Sequence, residues 1–132
     1  MKISATIKNE LNKNEVVVST NGQRKNILIP SKDSGYGSSV NGGELLLLSL
    51  AVCYCNDLYR EAAKRDIEIS EIEVEVNGSF GAEGYPGTDF EYKPTIKSNA
   101  TEEKLQQLIQ HTDSVAEIHK TLRQGIKIKL IQ

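Results

Sequence analysis

The feature that most constrains this sequence is an apolar segment at its centre. Between Leu45 and Cys55 only Ser49 and Tyr54 carry a polar side-chain group. A helix of these residues is apolar on every side and must be buried on every side. The segment is shorter than the about 20 residues that a bilayer-spanning helix needs. It therefore predicts the central helix of a soluble domain, spanning residues 41–66, buried at its start and exposed at its end.

Composition narrows the class of protein. A chain of 132 residues is long enough for one domain with a real core, so we expect a single domain, residues 1–132. The 16 Lys and Arg nearly balance the 18 Asp and Glu, which does not favour a nucleic-acid partner. The N-terminal segment MKISATIKNE lacks an apolar signal core. We therefore expect a cytoplasmic protein with no membrane partner.

The two cysteines, Cys53 and Cys55, both lie in the predicted central helix. Side chains two positions apart on a helix point about 200° away from each other, so a bridge between them would require the helix to unwind. Both thiols should be reduced. Considered alone, Cys53 is interpreted either as a small packed hydrophobe or as a reactive thiol that needs a nearby cation.

Strands are predicted on both sides of the helix. Ile3, Ala5 and Ile7 alternate with polar residues, and residues 16–20 and 24–29 flank an Asn21-Gly22 turn that favours a hairpin. The polar segment 9–15 is interpreted as a link. After the helix, two further strands should face inward with alternate residues, namely Ile72, Val74 and Val76 in one and Phe90, Tyr92 and Ile96 in the other, Pro94 marking an edge strand or a strand end.

The last third predicts a helix in two parts followed by a strand. Thr101 can cap the first helix, whose inner stripe is Leu105, Leu108, Ile109 and Thr112. Ser114 and Glu117 match a capping box, which predicts a break near Asp113 and a second short helix. Gly125 should end this helix, and residues 126–132 alternate as a final strand. The whole order predicts an α+β fold.

Histidines and known motifs suggest no metal or cofactor. His111 and His119 are eight residues apart and far from the cysteines, which does not match zinc-ligand spacing. No nucleotide-binding loop or Gly-x-Ser-x-Gly motif occurs. His119 is interpreted as a packed histidine. Since about six short strands would struggle to cover the apolar helix, we expect a homodimer.

The segment from Asn41 to Tyr54 resembles the central-helix signature of the OsmC/Ohr family. In that signature an Asn-Pro-Glu or Pro-x-Glu-Leu-Leu element leads through small and apolar residues to Ala-x-Cys; here Glu44 precedes four leucines, and Ala51-Val-Cys53 follows. The predicted order of elements also matches the family along nearly the whole chain. The resemblance implies long central helices packed between β-sheets, in an intertwined homodimer with an active site at the subunit interface.

The resemblance also implies a chemistry, the thiol-dependent reduction of hydroperoxides with Cys53 as the peroxidatic cysteine. In the family, the thiolate attacks the O–O bond, and a second cysteine resolves the resulting sulfenic acid as a disulfide. That cysteine begins a Cys-Pro-Val-x-x-Thr-Leu element, and the matching segment here begins with Ala116, which has no sulfur.

Two other family positions also differ in this chain. Gly43 stands where Ohr-type members have a glutamate, but Glu44 matches the glutamate of the Pro-x-Glu-Leu-Leu members. The activating arginine of the family comes from the loop after the first strand, where this chain offers only Lys13. Arg24 is the single arginine before the central helix and is the candidate substitute. The candidate catalytic residues are therefore Cys53, Glu44 and Arg24.

These observations lead to one main hypothesis and two alternatives. The main hypothesis is a one-cysteine hydroperoxide reductase of oxidative-stress defence, whose Cys53 is restored by an external thiol reductant. The first alternative is a non-catalytic module that binds a small apolar or electrophilic ligand in the dimer-interface pocket. The second is a purely structural protein in which Cys53 only packs.

Overall fold

The computed structural model describes all 132 residues, in three helices and five strands. They form two compact units, residues 1–45 and 46–132. No helix combines the length and the apolar character that crossing a bilayer requires. The α+β class is confirmed, whereas the assignment of residues 1–132 to one domain stays a prediction.

The first unit contains a three-stranded antiparallel sheet in the order β1-β2-β3, with β1 at Ile3–Glu10, β2 at Lys13–Thr20 and β3 at Gln23–Asn26. The predicted hairpin is confirmed. Asn21 and Gly22 both have positive φ, 49° and 83°, as a two-residue turn of the right twist requires. The segment interpreted as a polar link is instead a second tight turn, because β1 continues to Glu10 and pairs with Lys13.

Asparagines of this second turn hold the loop that precedes the central helix. Asn14 donates from Nδ2 to the Ser38 hydroxyl at 2.8 Å, and the Gly37 amide donates to the Asn9 side-chain oxygen at 2.9 Å. Gly35 and Asn12 bond each other reciprocally. The polar residues that looked like a solvated link therefore order residues 31–40.

The central helix, α1, spans Gly42–Ala63 and confirms the prediction. It begins with a reciprocal cap, in which the Glu44 amide donates to the Asn41 side chain and the Asn41 amide donates to the Glu44 carboxylate, each at 2.8 Å. Such pairs satisfy two amides that would otherwise lack partners. Asn41 is thus the N-cap of α1, and Glu44, the third residue of the helix, completes the capping box.

Within one chain, the burial along α1 differs from the prediction at several residues. In the apolar first half, Leu48 and Val52 are 56% and 51% exposed, whereas Asp57 and Glu61 in the charged second half are 4% and 3% exposed. The predicted exposure of the second half is wrong for these two acids, because it used only the polarity of the helix residues. Burial of the first half, for which we expect a homodimer, stays a prediction. The elements that cover α1 lie over its second half.

The core of the second unit forms around that half of the helix. Its fully or nearly fully buried members are Tyr54, Leu58, Ala62, Leu108 and Ala116. Against them packs an antiparallel pair, β4 at Ile69–Phe80 and β5 at Gly87–Ser98. The predicted inward residues of both strands are half-buried, which confirms their facing. Pro94 pairs with Val74 in the middle of β5, an edge position because the sheet has two strands.

Two helices, α2 at Glu102–Val115 and α3 at Glu117–Gln124, complete the second unit. The Thr101 cap is confirmed, since its hydroxyl accepts from the Lys104 amide at 3.3 Å. The break lies at Ala116 rather than near Asp113. The predicted capping box is wrong, because the Ser114 hydroxyl donates to the His111 carbonyl instead of capping α3.

The chain ends without the predicted strand. Gly125, with φ of 70°, ends α3 as expected, but residues 126–132 form no regular element. A strand needs a neighbour for its backbone hydrogen bonds, and neither sheet of the chain pairs with this segment. Its apolar side chains are therefore exposed, Ile128 to 93% and Leu130 to 81%.

Candidate functional site

Cys53 lies near the middle of α1 with a half-buried side chain. Its thiol donates to the Asp57 carboxylate, with 3.6 Å between Sγ and Oδ2. The two residues are neighbours because side chains four apart share a helix face. Glu117, the first residue of α3, brings a second carboxylate, so that one ligand atom from each of these three side chains lies within 4.8 Å of the other two.

Arg60 balances this negative charge. One guanidinium nitrogen, Nη1, lies 2.8 Å from Asp57 Oδ1 and 3.4 Å from Glu117 Oε1. We call Cys53, Asp57, Arg60 and Glu117 the thiol cluster. Thiolate and carboxylate are metal ligands, but Arg60 already occupies both carboxylates, and we assign no metal to the thiol cluster.

The electrostatics of the thiol cluster favour a protonated Cys53. Burial and the neighbouring carboxylates raise the pKa of the Cys53 thiol, and only the Ile118 backbone amide acts against them. Burial and the contact with Glu117 also raise the pKa of Asp57, while hydrogen bonding to its own backbone amide lowers the pKa of Glu117. Of the two carboxyls, Asp57 therefore has the higher affinity for a proton. The Asp57 carboxylate accepts the hydrogen bond of the Cys53 thiol, which suits transfer of the thiol proton from the sulfur to Asp57.

A second charged cluster follows on the same helix. The buried Glu61 accepts from Lys64 at 2.9 Å, from Arg60 at 3.0 Å and from Arg65 at 3.3 Å. His111 Nε2 lies 3.2 Å from the same carboxylate. Hydrogen bonds from Lys64 and then Arg60 lower the pKa of Glu61 to about 2, so Glu61 stays ionised.

The three candidate residues lie in different parts of the chain. Cys53 belongs to the second unit, whereas Glu44 and Arg24 belong to the first. Glu44 caps α1, and Arg24 lies in β3 opposite Ser19 with an exposed side chain. The assignment of these residues to one catalytic site therefore stays a prediction.

Sequence reasoning missed the other members of the thiol cluster. Asp57 and Arg60 were interpreted as parts of an exposed helix face, although the spacing of four residues between Cys53 and Asp57 was visible in the sequence. Glu117 was assigned to a capping box that does not form. Its proximity to Cys53 depends on how α3 packs on α1, for which the sequence has no local signal.

A scan against family models matches the OsmC-like protein family over residues 35–131. This segment includes the whole of α1 and the thiol cluster. No curated protein matches the chain.

Solved structures show the same fold. An OsmC-like protein from Mycoplasma pneumoniae is 20% identical, with a TM-score of 0.62 over 91% of this chain and 87% of its own. An OsmC-like hydroperoxide resistance protein from Jannaschia sp. CCS1 is 17% identical, with a TM-score of 0.56 over 96% of this chain and 88% of its own. An osmotic stress induced and detoxification response protein from Psychrobacter arcticus is 16% identical, with a TM-score of 0.62 over 88% of this chain and 85% of its own. The family match over most of the chain confirms the resemblance of the central-helix segment, and the chain belongs to the OsmC-like protein family.

Proposed function

We propose that this chain is a one-cysteine hydroperoxide reductase of peroxide defence, active in the cytoplasm as a homodimer. The observation that carries the proposal is Cys53, a half-buried thiol on the central helix with a proton acceptor 3.6 Å away. The Jannaschia structure is named as a hydroperoxide resistance protein, which supports the same chemistry here. No metal or cofactor is required.

The proposed reaction needs only Cys53, Asp57, the hydroperoxide and an external thiol. Asp57, in its ionised fraction, takes the Cys53 proton, and the sulfur attacks the terminal peroxide oxygen. The O–O bond breaks, Cys53 becomes a sulfenic acid, and the leaving alkoxide receives a proton to become an alcohol. Two equivalents of external thiol then reduce the sulfenic acid, releasing water and a disulfide of the reductant.

Regeneration by an external thiol follows from where sulfur is found in the chain. The position that matches the resolving cysteine of the family is Ala116, which has no sulfur and is completely buried. Cys55 is the only other cysteine, and the continuous helix from Gly42 to Ala63 directs it away from Cys53. Peroxide should therefore give sulfenic or sulfinic acid and no bridge within a subunit.

A homodimer would cover the exposed side of α1. Leu45, Leu48, Val52 and Tyr59 are 37% to 56% exposed and recur at spacings of three, four and seven residues. That spacing is typical of a seam between two packed helices. We propose that the same seam of a second copy packs on it, as the resemblance of the central helix implies. Glu44 and Arg24 complete the proposed catalytic set together with Cys53.

The decisive experiment measures consumption of cumene hydroperoxide with dithiothreitol as the reductant. Wild type should consume it, Cys53→Ser should lose all of this activity, and Cys55→Ser should keep most of it. Because the pKa of Cys53 is raised from 9.0, the rate should still be rising with pH at pH 9. Intact mass after substoichiometric peroxide should show oxygen added at Cys53.

The opposite result identifies the alternative. If wild type consumes hydroperoxide no faster than Cys53→Ser with monothiols and dithiols alike, the reductase proposal is wrong. A binding module that has lost turnover would then be the better description of this OsmC-like chain.

A further inference from the structure

The proposed reaction produces a strong base that needs a proton. When the sulfur takes the terminal oxygen of an alkyl hydroperoxide, the other oxygen leaves as an alkoxide. An alkoxide leaves far more readily when a positioned acid protonates it as the O–O bond breaks. The donor of that proton must lie beside Cys53, because the peroxide is attacked there.

Three charged side chains accompany Cys53 in the thiol cluster, and two of them keep their charge. The hydrogen bond with Glu61 raises the pKa of Arg60, so the guanidinium retains its protons. Hydrogen bonding to its own backbone amide lowers the pKa of Glu117, whose side chain is 66% exposed. Asp57 differs from both, because it is buried and burial raises its pKa. Of the three, Asp57 is therefore the group that most readily gains and returns a proton.

The two oxygens of the Asp57 carboxyl have separate partners. Oδ1 lies 2.8 Å from Arg60 Nη1, and Oδ2 accepts the hydrogen bond of the Cys53 thiol at 3.6 Å. The ion pair with Arg60 thus holds the carboxyl in the orientation in which Oδ2 faces the sulfur. The leaving oxygen of a peroxide is joined by one bond to the oxygen that the sulfur attacks, so it comes within reach of Oδ2 as the S–O bond forms.

We propose that Asp57 is the acid as well as the base of the reaction, and that it passes the proton taken from the Cys53 thiol to the leaving oxygen of the peroxide. The sulfur bonds the terminal oxygen and becomes a sulfenic acid, the O–O bond breaks, and the other oxygen leaves as an alcohol. Asp57 ends as the carboxylate from which it began, so no other proton donor is consumed. This inference rests on the proposed reductase function and gives Asp57 a second step in it.

The test compares two small oxidants whose leaving groups differ in basicity. The compound tert-butyl hydroperoxide releases an alkoxide, which needs a proton, whereas peracetic acid releases acetate, which does not. Reduced protein that carries Cys55→Ser is mixed with each oxidant at pH 7 without reductant, and the loss of the free Cys53 thiol is followed. Adding Asp57→Asn should slow oxidation by tert-butyl hydroperoxide roughly a hundredfold more than oxidation by peracetic acid.

Asp113→Asn is the matched control, because Asp113 also pairs with an arginine, Arg123 at 2.7 Å, but lies outside the thiol cluster. It should leave the ratio of the two oxidation rates unchanged. Equal slowing of both oxidants by Asp57→Asn would mean that Asp57 does not protonate the leaving oxygen, and this inference would be wrong while the reductase function stands. If tert-butyl hydroperoxide oxidises Cys53 no faster than it oxidises free cysteine when Asp57 is intact, the reductase function fails, and this role of Asp57 fails with it.

A second measurement needs no change at Asp57 and therefore decides the question even if Asp57→Asn fails to fold. Proton transfer to the leaving oxygen should slow oxidation by tert-butyl hydroperoxide in heavy water, and this slowing should exceed the slowing with peracetic acid. Deprotonation of the Cys53 thiol affects both oxidants alike, so the difference between them reports protonation of the leaving oxygen. Equal solvent isotope effects for the two oxidants would overturn the proposal.

Discussion

The two halves of α1 make opposite use of their side chains. In the first half, Leu48 is 56% exposed and Val52 is 51% exposed, although Leu50 between them is buried. In the second half, two acids are buried, with Asp57 at 4% and Glu61 at 3% exposure. The same continuous helix thus exposes apolar side chains in its first half and buries acids in its second half.

The difference shows that the polarity of a side chain does not by itself determine its burial. The elements that pack around it determine whether it is buried. Buried charge is tolerated only when it is paired and hydrogen-bonded. Glu61 meets that condition through Arg60, Lys64 and Arg65, and Asp57 meets it through Arg60. In the first half, Leu48 and Val52 are not covered by the other elements of the second unit, which is why we propose that a second copy packs there.

The largest expected effect comes from placing charge on the exposed seam. Leu48→Glu removes two leucine contacts from a dimer, each worth about 1.5–3 kcal/mol, and adds unpaired acid. The dissociation constant of the dimer should rise by more than about a hundredfold. Sedimentation velocity at micromolar concentration measures this change directly.

Tyr85→Glu is the matched control, because Tyr85 is 70% exposed in the turn between β4 and β5. This variant should sediment as wild type does. A wild type that is a folded monomer at micromolar concentration, or a Leu48→Glu variant that stays dimeric, would break the comparison between the two halves.

A smaller effect, on the free energy of unfolding, should distinguish residues of the core from residues of the seam. Leu58 is completely buried, so Leu58→Ala should lower the free energy of unfolding by about 2–5 kcal/mol. Val52→Ala should change it by less than about 0.5 kcal/mol in the monomer and should instead weaken the dimer. Urea unfolding, measured below the dimer dissociation constant, distinguishes the two; equal losses would show that Val52 belongs to the core of the single chain.

The smallest effect concerns acid stability and Glu61. Its pKa falls from 4.5 to about 2 on folding, so the folded state favours the ionised carboxylate. The stabilisation is complete above pH 4.5 and is lost as pH falls from 4.5 towards 2. The difference in urea midpoint between wild type and Glu61→Gln should therefore be largest at neutral pH and should vanish near pH 2.

Glu73→Gln is the control for this titration, since Glu73 lies exposed on β4 and forms no ion pair. Its urea midpoint should follow wild type across the same range. If the urea midpoint of Glu61→Gln also follows that of wild type, the ion pairs of Glu61 contribute nothing to the stability of the fold.

Much of the fold could be predicted because its signals are local. The alternation of Ile72, Val74 and Val76, the Asn21-Gly22 turn and the Thr101 cap each depend on residues close together in sequence, and each is confirmed. The family resemblance likewise rests on one continuous segment. Local patterns therefore identified the elements and the family.

The errors and omissions have a common physical cause. Burial of Asp57, the position of Glu117 beside Cys53 and the irregular residues 126–132 all depend on contacts with distant parts of the chain. The helix break is a local exception: it lies at Ala116 rather than near Asp113, and the Ser114 hydroxyl donates to the His111 carbonyl three residues back in its own helix. The periodicity of the sequence does not report such contacts.

The last seven residues affect how the isolated protein behaves in solution. Ile126, Ile128 and Leu130 alternate with Lys127 and Lys129 in an exposed segment that forms no regular element. Apolar alternating segments of this length are templates for edge-to-edge aggregation, and lysines are the charges by which natural sequences oppose it. Lys127 and Lys129 therefore oppose association of this segment between copies of the chain in a concentrated preparation.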